Sequence, residues 1–191
     1  MKPVLVVYAT REGHSRRIAE RVVDRIEGCG YQAAIIDAAS VPPGFSLDRY
    51  SAALLTASVH RTKHEPEIIE FVKQHLETLN RLPAAFLSVS LSQAGAEDNN
   101  AAPERRAQAA SGVQTMIRAF ISETGWRPGR ILPVAGALRY TKYGLLLRIL
   151  MRWVSGRTGG ATDTSTDHVY TNWSGVDHFV DEFLRSIPKQ Q

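Results

Sequence analysis

The chain has 191 residues, one cysteine and a formal net charge of +4. That length builds one well-cored domain, and the lone Cys29 excludes a disulfide scaffold or a thiolate metal site within one chain. No apolar run is long enough to span a bilayer and no tract is of low complexity; the basic balance favours anionic partners (lipid head groups, nucleic acid or an acidic substrate) without choosing among them.

Residues 3–8 predict a buried central strand, since β-branched residues run on without polar alternation. This apolar start reads as a strand and not as a secretory leader, so the expected compartment is the cytoplasm. The strand stops at Thr10-Arg11-Glu12-Gly13-His14-Ser15, and a helical pattern over 15–27 begins at once, with Ile18, Val22 and Ile26 on one face. A turn between the carboxyl end of a strand and the amino end of a helix gathers unpaired backbone N–H groups at one point. Thr10 and Ser15 add hydroxyls, and Gly13 permits close backbone approach. A single phosphate suits such a turn. An ordinary capped turn has the same composition, so both readings stand at this point. The segment lacks the Lys-bearing pattern of a P-loop and the three glycines of a dinucleotide site.

Further strands are predicted over 32–36, 51–56, 83–89 and 130–135, with helices over 66–79, 103–124 and 173–185. Residues 91–102 read as a polar loop. Strands interleaved with helices predict a parallel, doubly wound sheet, whose ligands bind beyond the carboxyl ends of the strands. Three loops rich in small polar residues are expected to meet there: 10–15, 58–64 and 88–93.

Residues 136–167 exceed a minimal five-strand plan. Within them, a helix would place Tyr143, Leu146, Leu147, Leu150, Trp153 and Val154 on one face, with Gly144, Arg148, Arg152 and Ser155 opposite. Two readings fit this basic amphipathic insertion: an interface with a bilayer or hydrophobic substrate, or packing on its own sheet or a second subunit. His60 and His64 lack a third ligand, so no metal site is expected. His14 is read as a phosphate or solvent contact, not a proton carrier. Cys29 has no visible redox partner.

The chain resembles the bacterial menaquinone-dependent protoporphyrinogen oxidases, FMN enzymes of the long-chain flavodoxin type. The resemblance is carried by Tyr8-Ala9-Thr10-Arg11-Glu12-Gly13-His14-Ser15, by Ala57-Ser58-Val59-His60, by Phe71-Val72-Lys73, by residues 80–91 and by Trp126-Arg127-Pro128. It is strongest in Ala135-Gly136-Ala137-Leu138-Arg139-Tyr140, which continues through the insertion to Gly159-Gly160-Ala161-Thr162-Asp163-Thr164 and Val169-Tyr170-Thr171-Asn172-Trp173. It implies one flavodoxin-like domain over 1–191, α/β, with a doubly wound five-stranded parallel sheet in the order 2-1-3-4-5 and a helical insertion before the last helix. It implies FMN, with Thr10, Arg11, Glu12, Gly13, His14 and Ser15 on the phosphate, Ser58, Val59 and His60 on one side of the ring, and Ser88, Val89, Ser90 and Leu91 on the other.

The implied reaction is oxidation of protoporphyrinogen IX to protoporphyrin IX in heme biosynthesis, with a quinone as electron acceptor. Arg139, Lys142 and Arg148 would then pair with the substrate propionates, or else lie in solvent or on lipid phosphates. The 140–155 segment would touch the inner face of the cell membrane. Nucleic acid is not expected as a partner, and homo-oligomer formation stays open. Two other functions remain on this scaffold: an FMN electron carrier or quinone reductase, and a non-catalytic peripheral-membrane module. The chain departs from ordinary flavodoxins in its basic charge, in the bulky Arg11-Glu12 pair of its turn, and in offering only His60 and Leu91 where aromatic rings often stack.

Overall fold

A computed structural model describes residues 2–138 and 168–188. Five parallel strands form the sheet: β1 Val4–Ala9, β2 Ala33–Asp37, β3 Ala52–His60, β5 Ala84–Ser90 and β6 Arg130–Ala135, in the spatial order β2-β1-β3-β5-β6. A two-residue strand, β4 Lys63–His64, folds back antiparallel on the end of β3. Leaving out β4, this is the expected order 2-1-3-4-5.

Helices cover both faces because neighbouring residues of a strand point to opposite sides. On β1, Val4, Val6 and Tyr8 join a core completed by Ile18, Val22 and Ile26 of α1 (His14–Gly28) and by Val176, Val180 and Phe183 of the C-terminal helix Trp173–Ser186. Leu5, Val7 and Ala9 join the opposite core. Its helical residues include Ile68, Phe71 and Val72 of α2 (Pro66–Gln74), Leu79 of α3 (Leu76–Arg81) and Phe120 of α5 (Pro103–Thr124). Trp126 fills the middle of this second layer with no exposed surface. Helix α5 has the predicted ends: Pro103 opens it, and Gly125, at φ 73°, closes it by donating its N–H to the Ile121 carbonyl.

Three expectations are corrected and one feature is added. The stretch 58–64 is not a loop: β3 runs on to His60, and Arg61 and Thr62 turn the chain directly into β4. Both turn residues have positive φ, 46° and 71°. A two-residue hairpin demands that geometry, which Asn-Gly ordinarily supplies. The stretch 91–102 is not all loop either. Helix α4 (Leu91–Glu97) starts there because the Ser90 hydroxyl accepts a bond from the Gln93 N–H and caps it. The helix expected over 66–79 is two helices, broken at His75, whose ψ of 16° leaves the helical range. Finally, Ala137–Leu138 and His168–Val169 form a small antiparallel pair, β7 and β8, that closes the base of the insertion. The amphipathic segment, with Arg139, Lys142 and Arg148, lies outside the described residues.

A β-branched threonine at positive φ is costly. Replacing Arg61-Thr62 by Asn-Gly should raise unfolding stability by about 1–2 kcal/mol, read as a higher urea midpoint at unchanged slope. An unchanged or lower midpoint would mean that the turn carries no strain.

Candidate functional site

The carboxyl ends of β1, β3 and β5 lie side by side, since these strands are neighbours in the sheet. The turn after β1 gathers hydrogen-bond donors at the head of α1. Thr10 Oγ1 accepts the Gly13 N–H at 2.9 Å, and Gly13 takes the left-handed conformation, φ 86° and ψ 2°. No side chain caps α1, and no acid stands in its first turn. The N–H groups of that end therefore keep their partial positive charge. Ser15 has no exposed surface, and its hydroxyl has no hydrogen-bond partner among the described residues. A buried hydroxyl in this state costs about 1–3 kcal/mol, and an anion at the helix end would supply its acceptor. The donor set thus fits a phosphate.

Of the other residues expected at this turn, Arg11 is half exposed and aims its guanidinium at Glu65, with Nη2 and Oε2 3.1 Å apart. Glu12 is half-buried. His14 is buried and packs against Trp173 at a ring distance of 6.2 Å. Its Nε2 lies 2.7 Å from Thr171 Oγ1. Thr171 gives its one hydroxyl proton to the Ala135 carbonyl at 2.7 Å, so His14 Nε2 carries the hydrogen and donates. This bond ties the head of α1 to the end of β6 and to the chain returning from the insertion.

The ends of β3 and β5 are joined to the turn after β1 by two consecutive residues, His64 and Glu65. His64 points to one side of β4. Its Nε2 lies 2.9 Å from Ser88 Oγ, and its ring packs on Phe86 and Phe120. Glu65, 3 % exposed, points back to the turn after β1. Besides Arg11 it holds Ser58, which donates its hydroxyl to Glu65 Oε1 at 3.3 Å, while the Glu65 N–H donates to the Ser58 carbonyl at 3.1 Å. One dipeptide thereby links all three strand ends. Nothing local marks it: His64 and Glu65 are unremarkable polar residues ahead of Pro66, and their partners are far off in sequence.

On the ring side, Val59 is half-buried and His60 is exposed. Val89 is buried in the core, the Ser88 hydroxyl is engaged by His64, and that of Ser90 caps α4. Leu91 presents an exposed side chain, and Val169, at the base of the insertion, does the same. Gly136 donates its N–H to the Ser90 carbonyl, which holds the chain leaving β6 against the end of β5.

A five-stranded parallel sheet in this order, with an uncapped helix end at its first crossover, is the architecture of the flavodoxins, a family whose members point to a flavin as cofactor. A family model described as a flavodoxin domain matches residues 5–165. Oxidised flavodoxin 1 from Bacillus cereus superposes with a TM-score of 0.54 at 14 % identity, covering 97 % of this chain and 99 % of that one. A short-chain flavodoxin associated with a bacterial microcompartment gives 0.56 at 13 % identity, covering 98 % and 100 %. Sequence relatives are nearer. The protoporphyrinogen IX dehydrogenase [quinone] of Escherichia coli is 31 % identical over 185 residues, 97 % of this chain and 96 % of that protein. The protein of the same name from Leishmania major is 30 % identical over 181 residues, 94 % of this chain and 73 % of that protein. The chain belongs to the flavodoxin-domain family and, within it, to the quinone-linked protoporphyrinogen IX dehydrogenases.

Burial pushes the His64 imidazole down to about 4. The unfolded state therefore binds the proton more readily between pH 6.5 and 4. The stability from the neutral, buried ring is complete above pH 6.5 and is lost as pH falls through 4. The loss is about 3 kcal/mol. Burial also lowers His75 and adds in the same direction. His64→Gln should flatten the acid side of the stability–pH curve measured by urea unfolding; a curve of unchanged steepness would show that the ring titrates freely.

Ser15→Ala should weaken FMN binding about 10- to 100-fold, the size of a hydrogen bond to a charged group, while riboflavin binding changes little. Equal losses for both ligands would place Ser15 away from the phosphate.

Proposed function

We propose that this protein oxidises protoporphyrinogen IX to protoporphyrin IX at an FMN site and passes the electrons to a quinone. The observation that supports this most strongly is the identity to named protoporphyrinogen IX dehydrogenases along almost the whole chain. A flavin held here would supply two-electron redox chemistry, so that removing six hydrogens from the porphyrinogen would reduce three quinones.

The residues of the chain bind and orient. The head of α1, with Thr10, Gly13 and Ser15, holds the terminal phosphate; its lone phosphate position suits FMN. His14 and Thr171 fix that helix end against β6. His64 and Glu65 hold the β3–β4 hairpin, with Ser58, Val59 and His60, against the third strand end. The exposed apolar surface of Leu91 and Val169 offers a landing face for a flat, largely apolar macrocycle. Arg139, Lys142 and Arg148 pair with its propionates. No helix among the described residues is long and apolar enough to cross a membrane. The 140–155 segment supplies a surface contact with the bilayer, where the quinone dissolves. That contact is checked by co-sedimentation with anionic vesicles, which should fall when Arg148 and Arg152 are replaced by Gln.

Under anaerobic conditions, protoporphyrinogen IX should bleach the flavin of the loaded protein, and an added quinone should restore its colour. NAD(P)H should reduce it far more slowly. Rapid reduction by NAD(P)H together with inertness toward porphyrinogen would favour a quinone reductase or electron carrier instead.

A further inference from the structure

We propose that Glu65 is a positioning residue that balances the charge of Arg11 and thereby sets the electron affinity of the bound flavin. The inference rests on the reading of this site as flavin-binding. Glu65 is a buried carboxylate between two elements assigned to opposite ends of the cofactor: Arg11 in the phosphate turn, 3.1 Å away, and Ser58 beside the ring, 3.3 Å away. A carboxylate so deeply buried needs a counter-charge, and Arg11 is the cation the structure places against it.

Two consequences follow for the site. The guanidinium of Arg11 is engaged by Glu65, so the turn grips an anion with N–H groups and hydroxyls and adds little net positive charge. Ser58 has given its only hydroxyl proton to Glu65, so its oxygen is left to the site as an acceptor. The pair is electrically balanced. Removing either member leaves one unbalanced charge between the turn and the hairpin that are assigned to the flavin. Reduction adds electron density to the ring, so an unbalanced cation favours the reduced form and an unbalanced anion disfavours it. A residue that only held the hairpin in shape would not give effects of opposite sign.

The test is a reductive titration of the flavin-loaded protein against a reference dye. The samples are wild type, Glu65→Gln, Arg11→Met, the Arg11→Met/Glu65→Gln double variant and Glu65→Asp. Glu65→Gln should move the midpoint to more positive potential and Arg11→Met to more negative potential. Each should change the relative affinity for reduced and oxidised flavin by about tenfold, ~30 mV for a two-electron couple. The double variant should return close to wild type, and Glu65→Asp, which keeps the charge, should stay there. If Glu65→Gln fails to fold, Arg11→Met and Glu65→Asp decide the matter together: a shift to more negative potential in the first with none in the second supports the inference, and any other pattern overturns it. Shifts of both single variants in one direction, or no shift in a fully loaded protein, would overturn the inference while leaving the flavin site intact. A wild-type chain that takes up no flavin would overturn the proposed function and this inference with it.

Discussion

The site depends on the seam made by His64 and Glu65. Parallel strands end independently, and each loop beyond them is free to drift unless something crosses between loops. Here one dipeptide does so, because His64 ends β4 while Glu65 stands at the head of α2, and their side chains reach different strand ends. His64 reaches the Ser88 hydroxyl at the end of β5, and Glu65 reaches Arg11 after β1 and Ser58 near the end of β3. The short return strand β4 exists only as a partner for Val59 and His60. The Arg61–Thr62 turn, at positive φ in both residues, is the conformational cost of putting that dipeptide in place.

A second seam closes the other side. His14 donates to Thr171, and Thr171 to the Ala135 carbonyl, so the head of α1 is fixed to the end of β6. The Tyr170 N–H donates to the Gly136 carbonyl beside the same strand end. The turn after β1 is therefore gripped from both flanks. Such a turn is preorganised to receive an anion, and less binding energy is spent on ordering it.

Local signals were legible in the sequence, and distant partnerships were not. The β1–α1 turn shows itself through an apolar run that stops at Thr10 and a glycine, Gly13, just ahead of the helix, and the two ends of α5 through Pro103 and Gly125. Each of these is a backbone requirement met by the residue at that position. The hairpin was hidden because Arg61-Thr62 has none of the usual turn chemistry. Helix α4 was hidden because its polar composition reads as loop and its cap, Ser90, is also the last residue of a strand. Glu65 gave no sign of burial, since charged residues ahead of a helix are ordinarily exposed, and the His14–Thr171 bond joins residues 157 positions apart. The family was legible because the resemblance extends along the whole chain, whereas the electrostatic setting of the site needed coordinates.

The central claim is that the turn after β1 takes the terminal phosphate of a flavin and that the β3–β4 hairpin answers to the same ligand. Amide hydrogen exchange, with and without FMN, tests it directly. FMN should slow exchange together in residues 10–16 and in residues 58–65. Uptake of FMN with no protection in 10–16, or no uptake at all, would contradict the account.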